Sequence, residues 1–223
     1  MNRLFAAIVA VTMAVALVSC RDEGGARNHD FMYSDIVTVA SASDADGTVF
    51  TMQRYDDSPL VSYTARNWVA SEKIVGQRVH LFYYTESDEP YVSGPIRIVS
   101  VRAITNGAVA EGNPDSPKWD ADAVWLNSIW RTGKYMNLRM RLSYSDKPRY
   151  FGLIAEKATL DSEQPQLYLV HNLDGEQQSY LSEIYASFDM SFVWDRPTCR
   201  SVCIHVHDDN RPEQTYVFSK QPQ

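Results

Sequence analysis

The chain has 223 residues, with 21 Lys and Arg against 28 Asp and Glu, a formal net charge of −7. An acidic protein of this size repels phosphate backbones, and no basic stripe interrupts the pattern, so the sequence argues against nucleic acid as a partner. Hydrophobic residues at 44 % are enough for real cores, in one large or two small domains, and aromatics at 12 % favour strands.

The first twenty residues read as an export signal. Asn2-Arg3 supplies a short positive start, and Leu4 to Val18 follows without a charge. That run is a signal-peptide apolar region, short for a membrane span. Leu17-Val18-Ser19-Cys20 resembles the lipobox of bacterial lipoproteins. The resemblance implies a signal peptide over residues 1–19 and a lipid-bearing Cys20 as first residue of the mature chain. A plain secretory signal with an incidental Cys20 is the alternative. Removing residues 1–19 takes away Arg3 alone among the charges, leaving 20 basic against 28 acidic residues, a net charge of −8. Two or three acyl chains anchor a protein without spanning. The expected partner is therefore a membrane, through the lipid on Cys20. Arg21-Asp22-Glu23-Gly24-Gly25 resembles the surface-export signal of some Gram-negative anaerobes, or is an ordinary solvated tether. The expected location is the cell envelope, at the outer membrane, with either face open.

From residue 35 the sequence turns to short alternating runs. Residues 20–34 read as the tether. Strands are predicted at 36–40, 48–55, 60–65, 76–84 and 96–104, punctuated by Asp44-Ala45-Asp46-Gly47 and Asp56-Asp57-Ser58-Pro59. Residues 67–75 break the alternation and could hold a short helical turn. Five strands with that break match the element order of an OB-type barrel over 35–106. In the fourth strand both faces are fairly apolar, which fits a barrel strand partly covered on its outside by another domain. Residues 107–118, with Gly112-Asn113-Pro114 and Pro117, read as a linker.

The second block, 119–223, is again β-rich. Met136, Leu138, Met140 and Leu142 alternate with polar residues. Further runs fall at 151–155, 167–171, 187–191, 202–206 and 215–219. The pattern predicts an antiparallel, immunoglobulin-like β-sandwich and an all-β chain. Cys199 and Cys203 are the cysteines that remain. Four residues of strand span roughly 13 Å, whereas a disulfide needs Cα atoms within about 7 Å, so a bridge would require a bend at 199–201.

The segments Asp35-Ile36-Val37-Thr38-Val39, Gly76-Gln77-Arg78-Val79, Trp130-Arg131-Thr132-Gly133-Lys134-Tyr135-Met136-Asn137-Leu138, Leu167-Tyr168-Leu169-Val170-His171-Asn172 and Ser187-Phe188-Asp189-Met190-Ser191 carry a family resemblance in their order and spacing. Together with the lipobox they resemble the NigD-like lipoproteins. The resemblance implies an N-terminal OB-fold domain and a C-terminal sandwich, and brings no catalytic residues.

Candidate sites are few. His205 and His207 point to one face of a strand, with Cys203, at a spacing that can share a metal; a solvated edge with Asp208-Asp209-Asn210 as its turn is the competing reading. His171 ends a strand with no nucleophile elbow to partner it. Trp119, Trp125, Trp130 and Tyr135 cluster in sequence, and could stack on a sugar or a partner segment or fill the space between domains. Paired acids at 56–57, 88–89 and 208–209 sit in turns. No metal, cofactor or catalytic residue is assigned. The expectation is a non-enzymatic module binding an envelope protein or glycan. The alternatives are a bacteriocin-immunity role, implied only by the family name, and a surface hydrolase or metal-dependent enzyme.

Overall fold

Alternation of apolar and polar residues closes the first half of the chain into a barrel. The computed structural model describes residues 31–220 apart from 88, 117–121, 145–149, 174–179 and 213; the signal-peptide reading, Cys20 and Trp119 lie outside the described residues. The barrel strands are β1 (Tyr33–Ser43), β2 (Gly47–Met52), β3 (Val61–Ala65), β4 (Arg78–Thr85) and β5 (Gly94–Ala103), closed in the order β1-β2-β3-β5-β4. β1 starts at Tyr33, two residues inside the expected tether, because Tyr33 pairs with Tyr83 and Thr38 with Arg78 across β1 and β4. Every second side chain points inward, so Val37, Val39, Phe50, Tyr63, Val79, Leu81 and Tyr83 fill the interior. The break between β3 and β4 holds a single 3₁₀ turn, Glu72–Ile74, whose first backbone donors are served by Ser71. Gly47, at the β1–β2 turn, has φ +79, and a Cβ there would lie 2.1 Å from the Ala65 carbonyl oxygen. Only glycine fits.

The second half is a two-sheet sandwich. Its strands are β6 (Thr105–Ala108), β7 (Ala110–Gly112), β8 (Trp125–Thr132), β9 (Tyr135–Ser143), β10 (Tyr150–Glu156), β11 (Gln166–Asn172), β12 (Leu181–Asp189), β13 (Ser201–His205) and β14 (Thr215–Ser219), with a short helix α1 (Ser191–Trp194) after β12. One sheet runs β14-β13-β11-β10-β7 and the other β6-β12-β9-β8. Three pairs are parallel, β7 with β10, β11 with β13 and β6 with β12, and the rest antiparallel. Leu126, Met136, Leu138, Met140, Leu153, Leu167, Leu169 and Phe188 fill the space between the sheets.

Residues 107–112 are strand, where the composition suggests linker. β6 and β7 place one short strand in each sheet, with the buried Val109 between them as the pivot. Gly107 is there for close packing: a Cβ on it would lie 2.6 Å from the Phe188 ring. The run 187–191 is likewise strand only as far as Asp189. Asp189 Oδ1 then accepts from the Ser191 backbone N–H at 2.8 Å and turns the chain into α1.

Candidate functional site

β4 carries the link between the two domains. Its inward residues, Val79, Leu81 and Tyr83, belong to the barrel; its outward residues Arg78 and His80 are buried by the sandwich. Arg78 is 4 % exposed. Its Nε donates to Ser187 Oγ at 3.1 Å, Nη1 to Thr38 Oγ1 at 3.3 Å, and Nη2 to the Ile36 carbonyl at 3.0 Å and to Thr132 Oγ1 at 3.1 Å. Asn137 Oδ1 lies 3.3 Å from Nη2 and also accepts from Ser187 Oγ. Among the described residues no carboxylate contacts this guanidinium, and neutral acceptors from both domains surround it. The ring of Tyr135 covers one face at 4.2 Å. Burial pushes the Arg78 pKa down to about 10, opposed by Tyr135 and Asp189, so the group stays charged at neutral pH. A buried charge is tolerable only when its donors are matched, and here both domains are needed to match them.

His80 lies one residue on. Its ring packs between Phe82 and Tyr185 in tilted contacts, at 4.4 and 4.3 Å between centroids. Nε2 lies 2.6 Å from Ser34 Oγ, and the buried Nδ1 has no hydrogen-bond partner among the described residues. Burial holds its pKa below the usual histidine range, and the Arg102 and Arg139 charges push the same way against Glu183.

A second clamp closes the other side of the interface. The Arg131 guanidinium meets the Asp56 carboxylate in a two-pronged ion pair at 2.7 and 2.8 Å. Trp194 Nε1 donates to the same carboxylate at 3.3 Å, and its ring lies 4.5 Å under Arg131. Asp56, expected as a solvated turn acid, thus joins the barrel to the sandwich.

Beside the Asp56 clamp lies a cleft of about 1050 Å³, walled by Gln53, Asp56 and Asp57 from the barrel and by Lys134, Trp194, Arg196, Arg200 and Lys220, among others, from the sandwich. Lys134 Nζ sits 2.8 Å from Asp189. Burial raises the Asp189 pKa, but the bonds from Lys134 and Ser191 outweigh it and hold the carboxyl below the usual range. Arg196 pairs with Asp161. Arg200 and Lys220 have no ion-pair partner among the described residues. The lining carries the cations Lys134, Arg196, Arg200 and Lys220 beside the carboxylates of Asp56, Asp57 and Asp195. A narrower crevice of about 220 Å³ beside it runs over Arg78, Leu60 and Tyr135.

The sequence-predicted residues divide. Tyr135 belongs to this interface. Trp125 and Trp130 lie on β8, the edge of the smaller sheet, and line neither opening. His205 stacks on Tyr168 at 4.4 Å on the outside of the larger sheet, with Nε2 2.7 Å from Gln166 Oε1. Cys203 Sγ is 3.9 Å from the same nitrogen. Burial pushes the Cys203 thiol up and the His205 imidazole down, which opposes the thiolate–imidazolium pair that a cysteine nucleophile needs. His207 lies beyond β13, and its carbonyl accepts from the Val124 backbone N–H. Among the described residues no group of three or more His, Cys, Asp or Glu could hold a metal ion. Asp208, expected in a solvated turn, is buried and accepts from the Leu126 and Asn210 backbone N–H groups. Cys199 and Cys203 are free thiols, both buried.

Arg78, Arg131 and Trp194 escape the sequence reading. Arg78 leaves one trace: a charge heading the most apolar strand. Arg131 and Trp194 leave none, since their partner Asp56 is 75 and 138 residues away.

The model of the NigD-like C-terminal β-sandwich domain matches residues 108–220. The chain belongs to this family. Its matched span starts at the last residue of β6 and takes in β7, which the composition disguises as linker. Among solved structures, this NigD-like chain is similar to a protein of unknown function from Bacteroides vulgatus (TM-score 0.68, 18 % identity, 86 % of this chain and 92 % of that one). It is also similar to a NigD-like immunity protein from Bacteroides caccae (TM-score 0.56, 17 % identity, 85 % and 97 %). A third is a candidate lipoprotein from Bacteroides fragilis (TM-score 0.58, 9 % identity, 86 % and 99 %). At these identities the likeness is one of fold. No curated protein matches the chain in sequence.

Proposed function

We propose that this NigD-like protein is a non-enzymatic binding module of the bacterial envelope, anchored through lipid on Cys20, which recognises an envelope protein or glycan in the cleft between barrel and sandwich. The observation that carries this reading is the cleft itself: about 1050 Å³ at a domain junction, with Asp56 and Trp194 in its walls held by the Arg131 clamp and with Arg200 and Lys220 left to meet a ligand. Domain junctions are frequent binding sites, and anchoring raises the effective concentration of a weak binder. The test is crosslinking of the tagged, lipidated protein in native membranes, with Arg200→Glu and Lys220→Glu compared with the parent. A partner captured by the parent and lost in both variants supports the cleft. A partner retained by both moves recognition elsewhere. A well-folded, anchored protein that captures nothing argues against a protein partner and for a glycan.

The Bacteroides caccae structure is described as an immunity protein, which favours a second reading, protection against a bacteriocin. Deletion of the gene would then sensitise cells to one toxin and no other.

A further inference from the structure

We propose that the end of the barrel where β1 begins rests on the lipid–water interface, making the barrel the membrane-proximal domain. This rests on the lipid anchor at Cys20 proposed above and adds a contact surface to it. Phe31 and Met32, both just over half exposed, lead into β1. Tyr55, in the β2–β3 loop, and Val92, in the β4–β5 loop, are 44 % and 40 % exposed. Named contacts bring these loops to one end. Tyr33 stacks on Tyr83 at 5.6 Å. The Arg54 guanidinium lies 4.3 Å over Tyr91 and 5.2 Å over Tyr55. The Ser62 backbone N–H donates to Ser93 Oγ at 2.9 Å. Tyr91 holds φ +59, the one non-glycine residue with positive φ among the described residues, a conformation that costs a tyrosine energy and persists only where the surroundings impose it.

Scattered exposed apolar residues are ordinary; these converge where the chain enters the fold. Eleven residues of chain from Cys20 to Phe31 reach at most about 40 Å, so an acyl chain on Cys20 keeps the barrel close to the bilayer, and the exposed apolar residues at the entry to β1 set which end faces it. Tyrosine rings with an arginine head beside them suit the interfacial layer, apolar on one side and wet on the other. The exposed Glu86 and Glu89 in the same β4–β5 loop offer anionic headgroups no attraction. The surface therefore fits a zwitterionic bilayer, and it is small enough to act only together with the anchor.

The test reconstitutes the full-length, lipidated protein in phosphatidylcholine vesicles. An environment-sensitive dye is placed on Val92→Cys or Phe31→Cys, with Val217→Cys on β14, 57 % exposed, as control. Cys199 and Cys203 are buried, and unsubstituted protein sets the labelling background. The expected result is a blue-shifted, several-fold brighter dye at 92 and 31, quenched by nitroxide lipid, no change at 217, and no gain on adding phosphatidylglycerol. Protein that floats with the vesicles while its dye at 92 and 31 stays as wet as at 217 overturns the surface and leaves the anchor standing. Protein that does not float overturns the anchor, and the surface with it.

Discussion

The guanidinium of Arg78, on the barrel, lies 4.2 Å over the ring of Tyr135, on the sandwich. Arg78 is buried and Tyr135 half-buried at this junction, and the polar atoms around Arg78 come from β1, β8, β9 and β12. The charge is distributed over neutral acceptors, so all of them lose a donor when the arginine goes, although Asn137 Oδ1 still accepts from Ser187 Oγ and Thr132 Oγ1 from Asn137 Nδ2.

Arg78→Ala should cost about 3 kcal/mol, the sum of orphaned buried acceptors and a cavity at the interface. Arg78→Lys should recover only part, because an ammonium cannot serve the planar fan of acceptors or stack as a guanidinium does. Urea unfolding measures both. Barrel and sandwich should melt as one unit in the parent and as two in Arg78→Ala; a single unchanged transition would contradict the role assigned to the residue.

The Arg131–Asp56 pair is bidentate, with side chains 10 % and 27 % exposed. Asp56→Asn should cost about 1 kcal/mol, since the partial exposure screens the charge. Arg131→Ala should cost more, about 2 kcal/mol, because Trp194 also loses the cation over its ring. A double-mutant cycle should return a coupling of about 1 kcal/mol. A coupling indistinguishable from zero would mean that the clamp is ornamental.

His80 should make the protein acid-sensitive. Its folded-state pKa lies below the ordinary 6.5, first through burial and then through Arg102 and Arg139. The unfolded chain therefore binds the proton first as pH falls. The contribution of neutral His80 is fully present above about pH 6.5 and is lost as pH drops through the depressed value. His80→Gln should flatten the fall in unfolding free energy below about pH 6.5. His205, also depressed by burial, should contribute a separate and additive share, since it lies on the far sheet.

Cys199 is fully buried and Cys203 nearly so, with no bridge between them. Intact mass of the soluble region should show two free thiols, and alkylation should need denaturant. Cys199→Ser should cost about 1–2 kcal/mol by placing a hydroxyl in an apolar site. An oxidised pair in the native protein would refute the geometry.

The layered β architecture is legible in local pattern alone, because period-two burial is a local property. The alternations around Val37 and Val39, at Val79, Leu81 and Tyr83, and from Met136 to Leu142 were legible as strands. So was a fourth barrel strand covered on its outside. What does the covering, and where a ligand could sit, emerges only from the assembled fold. Gly107 to Gly112 looks like linker until Phe188 is laid against Gly107. Asp56 looks like a solvated turn acid until Arg131 arrives from the other domain. Arg78, His80, Asp56, Arg131 and Trp194 become a site through contacts between residues 75 or more positions apart in most cases. Local pattern carries burial, because each residue reports its own hydropathy. It carries no record of which distant side chain will supply a partner, and the interface is made of such partnerships.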